Sequence, residues 1–114
     1  MARTVDISPD EVVISLSGWT AVAALRRVVR IPRSTVRAVS TEPWHGDGIR
    51  VGGTSIPFRD YRQGRFRKHG RRQFLSFEHR DRVVALEVDR DAVGYDVVVV
   101  GVDDPQRVAA ELAG

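Results

Sequence analysis

The fold turns on Tyr95-Asp-Val-Val-Val-Val-Gly-Val-Asp-Asp-Pro105, near the end of a chain of 114 residues. Side chains alternate from face to face along an extended segment, so four consecutive valines make both faces apolar. A strand of that kind needs cover on both sides. The chain supplies a candidate cover at once, because Asp104 can accept from the unpaired N–H groups of a first helical turn and Pro105 suits the position after it. The helix expected over Pro105–Ala113 carries Val108, Ala109 and Leu112 on one stripe, with Arg107 and Glu111 elsewhere. With about nine residues it is too short to persist alone in water. Docking over the outer face of the valine strand is its expected source of stability.

Upstream, Val84, Leu86 and Val88 alternate with Ala85, Glu87 and Asp89, giving a strand over Val83–Asp89 with one dry and one wet face. Gln73–His79 and Gly64–Lys68 precede it, and turn-like stretches at 68–72, 79–82 and 89–94 give the spacing of antiparallel hairpins. Val36–Glu42 and Arg27–Ile31 are two further apolar runs, separated by Pro32 and a turn at Arg33-Ser-Thr35. Trp44–Pro57 is glycine-rich with little periodicity and reads as the longest loop, with a brief extended piece at Ile49–Val51. The opening strand covers Glu11–Ser17, where Val12, Ile14 and Leu16 share a face, and Trp19–Leu25 after Gly18 suggests a short helix. The expected fold class is mainly β, a barrel or sandwich of about seven antiparallel strands with a helix after the first and a C-terminal helical cap. Nothing alternates as βαβ, which excludes a parallel doubly wound fold.

Composition sets the outer bounds. The length suits one domain over 1–114, and 42% hydrophobic with 29% charged residues is the balance of a folded globular protein. There is no cysteine, so disulfides, thiolate nucleophiles and cysteine-based zinc sites are excluded, in keeping with a cytoplasmic location. The N-terminal residues lack the apolar core of a signal peptide, and no apolar run reaches the roughly 20 residues that span a bilayer.

No local signature of chemistry emerges. His45, His69 and His79 lack metal-ligand spacing, no GxSxG turn activates a serine, and Gly46–Gly53 lacks the spacing of a phosphate-binding loop. No catalytic residue, cofactor or metal is therefore expected, and a small enzyme would need a pocket of convergent polar groups that the sequence does not announce.

The chain resembles the small stand-alone bacterial PH-like (pleckstrin-homology-like) domain proteins. The resemblance rests on Ser17-Gly18-Trp19 with the Ala/Leu-rich stretch after it, on Val29-Arg-Ile-Pro32 and Ser34-Thr-Val-Arg-Ala-Val39, and on Thr54-Ser-Ile-Pro57. Gly64-Arg-Phe66, Phe74-Leu-Ser-Phe77 and Tyr95-Asp-Val-Val-Val-Val100 leading to Asp103-Asp-Pro105 complete it. It implies a seven-stranded bent barrel plugged by the terminal helix, and a binding or assembly module. Signalling members that bind phosphoinositides resemble one another in a basic loop between the first two strands. Here that connection, Gly18–Leu25, carries no charge, which argues against the usual phosphoinositide pocket.

The formal net charge is only +3, but it is unevenly spread. Residues 59–82 hold nine Lys and Arg against three Asp and Glu, whereas residues 83–114 hold two against seven. The basic segment reads as a hairpin. Pairing Phe66 with Leu75 and Gly64 with Phe77 leaves His69–Arg72 as a four-residue turn and points Arg65 and Arg67 outward, with Ser76 and Phe74 opposite them. The candidate binding residues are thus Arg62, Arg65, Arg67, Lys68, Arg71, Arg72 and an exposed Phe74. A protein partner or a second copy of the chain is the expected ligand; nucleic acid, anionic lipid or a membrane surface is the alternative. Solvation, a cation–π contact of Arg67 on Phe74, or neutralisation by the acidic segment downstream would equally account for these charges.

Overall fold

The computed structural model describes residues 3–16, 28–44, 49–55, 62–68, 70–79 and 81–113, with the backbone alone for residues 3, 49–51, 54 and 55. The helix expected over Trp19–Leu25, and with it the Gly18–Leu25 connection, lies outside the described residues.

Nine strands fall among them: β1 (Arg3–Ile7), β2 (Glu11–Leu16), β3 (Val28–Pro32), β4 (Ala38–Ser40), β5 (Ile49–Ser55), β6 (Arg62–Lys68), β7 (Arg71–Phe77), β8 (Val83–Glu87) and β9 (Val97–Gly101). A one-turn helix α1 (Arg90–Val93) joins β8 to β9, and α2 (Pro105–Ala113) ends the described chain. The strands form two sheets, β1-β2-β3 and β4-β8-β9-β7-β6-β5, that stay separate rather than closing into one barrel. The protein is mainly β with a C-terminal helix.

The valine strand explains the order of the large sheet. Val97, Val98, Val99 and Val100 are all buried. A strand so apolar is most stable with both edges paired and both faces covered, and β9 takes that position between β8 and β7. Its pairing with β8 is antiparallel and with β7 parallel, so the expected run of purely antiparallel hairpins is corrected at this one pair. Alternation then divides the strand between two cores. Val98 and Val100 join Phe74, Val84 and Leu86 against Val12, Ile14, Leu16, Val29 and Ile31 of the small sheet. Val97 and Val99 face the other way, with Phe66, Leu75, Phe77, Val83 and Ala85, and Trp44 packs against them. Full burial of one valine is worth roughly 1.5–3 kcal/mol.

Helix α2 starts as its sequence requires, with the Arg107 N–H donating to Asp104 Oδ1 at 3.2 Å. Its Val108 and Leu112 pack on the inter-sheet core, and the helix contacts β1, β4 and β8. It therefore covers the same side of β9 as the small sheet, not the outer side expected from sequence. Its C-terminal carbonyls are held by Arg33, whose Nη2 donates to Glu111 O and Leu112 O at 3.0 and 3.3 Å while Nη1 donates to Ser8 O at 3.1 Å. A cation at that end also suits the helix dipole.

Two strands exceed the sequence expectation. In β1, Val5 and Ile7 are half-buried while Thr4 and Asp6 are exposed, an alternation that completes a hairpin with β2. In β5, glycine forms strand instead of loop because the backbones of β5 and β6 approach closely. Gly53 pairs with Gly64 and both have positive φ, 109° and 127°. A Cβ at Gly64 would stand 2.3 Å from Gly52 O, a clash of backbone with side chain that nothing can yield to.

Gly64→Ala is accordingly expected to cost about 2–5 kcal/mol, combining backbone strain with overpacking. Gly70→Ala, at φ 78° with open space around it, should cost only about 1–2 kcal/mol. Urea denaturation of the two variants checks this, and equal midpoints would show that β5 and β6 are not so closely apposed.

Candidate anion-binding cleft

The hairpin of β6 and β7 pairs Lys68 with Arg71, Arg67 with Arg72, Phe66 with Gln73, Arg65 with Phe74 and Gly64 with Leu75. The expected register is thus corrected by two residues, and the expected four-residue turn over 69–72 is shortened, because Arg71 and Arg72 belong to β7. Gly70, at φ 78°, supplies the left-handed conformation that tight hairpin turns require. A shift of two preserves which residues share a face. It does change which ones meet.

Alternation splits the six basic candidates into two sets. Arg62, Lys68 and Arg71 lie on the face that carries Phe66 and Phe77; Arg65, Arg67 and Arg72 lie on the opposite face. In the first set Arg62 is buried and Arg71 pairs with Glu87 at 3.3 Å. Neutralisation by the acidic segment is therefore real, but it acts on this face. Phe74 is corrected outright: it is fully buried in the inter-sheet core, its ring centroid 5.5 Å from that of Tyr95. The face expected to be wet is covered by the small sheet, so Phe74 is a core residue and not a contact for a ligand.

Arg65, Arg67 and Arg72 are exposed and line a cleft of about 300 Å³ with Phe66, Gln73, Val93, Gly94 and Tyr95. No carboxylate lines it or pairs with these three guanidinium groups among the described residues. Arg67 stands directly opposite Arg72 in the ladder, an arrangement of like charges that is unfavourable in the free domain. The Arg65 guanidinium lies over the backbone of β5, where a Cβ at Gly52 would meet Nη2 at 2.9 Å. Glycine at 52 keeps that place open.

A second group fixes the hairpin backbone from which Arg72 extends. Asp96 accepts the Arg72 backbone N–H at 2.8 Å and its own N–H returns to Arg72 O at 2.8 Å. The Arg90 Nε donates to the same carboxylate at 3.0 Å, and Arg90 Nη2 donates to Gly70 O at 2.7 Å. The hydrogen bond from Arg90 is the main reason that the Asp96 carboxyl is held below the ordinary carboxylate range; partial burial opposes it, and the Arg72 N–H and the charges of Arg90 and Arg71 reinforce it. The same bond raises the Arg90 guanidinium. Arg90, Tyr95 and Asp96 carry no motif, and parallel pairing with β7 is what brings the start of β9 to the hairpin.

Among the described residues no group of three or more His, Asp and Glu is placed to hold a metal ion, and no helix is long and apolar enough to cross a membrane. No protein-family model matches the chain, and no curated protein or solved structure is significantly similar to it. The functional reading rests on the geometry of the cleft.

Asp96→Asn removes the charge from these hydrogen bonds and is expected to cost about 2 kcal/mol near neutral pH. A carboxyl with a lowered folded pKa stabilises the fold above its unfolded pKa and loses that contribution as pH falls through the folded value. The wild type should therefore lose stability more steeply than Asp96→Asn below about pH 4. Thermal midpoints across pH 2–7 measure this, and parallel curves for the two proteins would contradict it.

Proposed function

We propose that this chain is a non-enzymatic binding module of the bacterial PH-like type that holds an acidic segment of a protein partner in the cleft of Arg65, Arg67 and Arg72. The observation that carries the reading is that three exposed arginines, and no carboxylate, line one cleft. Guanidinium groups stay protonated and only donate hydrogen bonds, so they suit the holding of an anion rather than the movement of a proton. An anion between Arg67 and Arg72 also relieves their mutual repulsion, which gives binding a favourable term that the free domain lacks.

The PH-like label is supported by the sequence stretches that resemble that family and by the packing of two sheets with an amphipathic terminal helix. The nine strands among the described residues and the parallel β7–β9 pair depart from the seven-stranded barrel that the resemblance implies. Nucleic acid or a membrane surface is less well served, because the basic residues diverge onto two faces and Arg71 is engaged by Glu87. Self-assembly through the acidic segment is disfavoured too, since Glu87 and Asp96 are occupied within the fold.

Binding of a fluorescent glutamate-rich peptide at low ionic strength tests the reading. The wild type should bind and weaken with added salt. Arg65→Gln/Arg67→Gln/Arg72→Gln should lose about tenfold or more in affinity. The charge-matched Lys68→Gln/Arg71→Gln/Arg82→Gln, whose last position is an exposed arginine just before β8 and outside the cleft lining, should stay within about twofold of wild type. Equal losses in the two triple variants would reduce the cleft to general surface charge.

A further inference from the structure

We infer that the group recognised in this cleft is a phosphomonoester, carried on a phosphorylated side chain of the partner; the inference rests on the cleft being the binding surface. The argument is one of charge and number. Arg65 and Arg67 are two residues apart on one strand, so their side chains leave the sheet about 7 Å apart. Arg72 projects beside Arg67, at the roughly 5 Å spacing of a directly opposed pair. All three residues line the same cleft of about 300 Å³, so one ligand seated there lies between them. A carboxylate has two oxygens and one charge, which a single fork satisfies. A phosphomonoester presents three terminal oxygens and a charge between about −1.5 and −2 near neutral pH, enough for all three.

The surroundings of the three arginines fit the same ligand. Gly52 leaves room for the Arg65 guanidinium over the β5 backbone, and the double hydrogen bond with Asp96 fixes the Arg72 backbone from which the third guanidinium extends. Val93 and Tyr95 add an apolar wall, suited to the carbon stem that carries a phosphoryl group. A phosphorylated protein fits better than a lipid headgroup in a bilayer. A membrane demands a broad basic plane, whereas Lys68 and Arg71 point to the opposite face from the cleft.

The full chain is titrated by calorimetry with three synthetic peptides of one sequence, bearing phosphoserine, glutamate or serine, with inorganic phosphate, and with vesicles containing phosphatidic acid. The phosphopeptide should bind about tenfold tighter than the glutamate peptide. Its affinity should rise between pH 5 and pH 7 as the second phosphate proton, with pKa about 6, is lost. Arg67→Gln and Arg72→Gln should each remove most of that advantage, with Lys68→Gln as the unchanged control and thermal midpoints confirming that all three fold. Gly52→Ala, by displacing Arg65, should weaken the phosphopeptide more than the glutamate peptide. If the two acidic peptides bind alike and without pH dependence, the phosphoryl inference is overturned while the acidic-partner reading stands. If neither binds at low salt, both fall. Binding of vesicles or of inorganic phosphate without the phosphopeptide overturns the assignment to a phosphorylated protein.

Discussion

Burial of β9 on both faces and along both edges is the constraint on which the structure depends. Four valines in sequence leave no wet side, so the strand must lie inside a sheet that is itself covered above and below. That one requirement places β7 and β8 at its flanks, sets the small sheet and α2 on one side of it, and leaves the Phe66–Phe77 cluster on the other. The parallel pair accompanies that position, because β7 and β8 run in opposite directions, and of two such strands flanking β9 one must be parallel to it.

The parallel pair in turn makes the cleft. It delivers Tyr95 and Asp96, at the entrance to β9, to the turn end of the β6–β7 hairpin, where Asp96 grips the Arg72 backbone. Without that grip the β7 edge of the hairpin end would lack a partner, since β5 pairs only with the β6 side there. The site is thus built from a local feature, alternation on β6, and a non-local one, the strand order of the large sheet.

This division marks what could be read in the sequence. The valine strand, the Asp104–Pro105 helix start, the shared dry face of Val84, Leu86 and Val88 and the outward direction of Arg65 and Arg67 follow from periods of two and 3.6 and from capping chemistry, so they were legible. The wet face expected opposite is corrected, because Val83 and Ala85 are buried in the second core. The β1 strand had a legible signal in Val5 and Ile7 that the polar Thr4 and Asp6 obscured. The β5 strand was legible only at Ile49–Val51, because the glycines that follow look like loop until the Gly53–Gly64 apposition explains them. Phe74 was assigned the correct parity but the wrong environment, since alternation tells which residues share a face and not whether that face meets solvent. Arg90, Tyr95 and Asp96 enter through tertiary pairing alone, for which a single sequence offers no periodic trace.

The aspartates around the valine run have a further role, one that concerns the unfolded chain. A stretch such as Val97–Val100 has high β-propensity, no charge and no proline, the composition that drives intermolecular strand stacking. Its central place requires partners distant in sequence, so folding is slow to bury it. Asp96 on one side and Asp103 and Asp104 on the other bracket the run with like negative charge, which opposes the in-register stacking of two exposed copies. In the native state the same carboxylates are reused, Asp96 to fasten the hairpin and Asp104 to start the helix. Gatekeeping before folding and anchoring after it are thus carried by the same side chains.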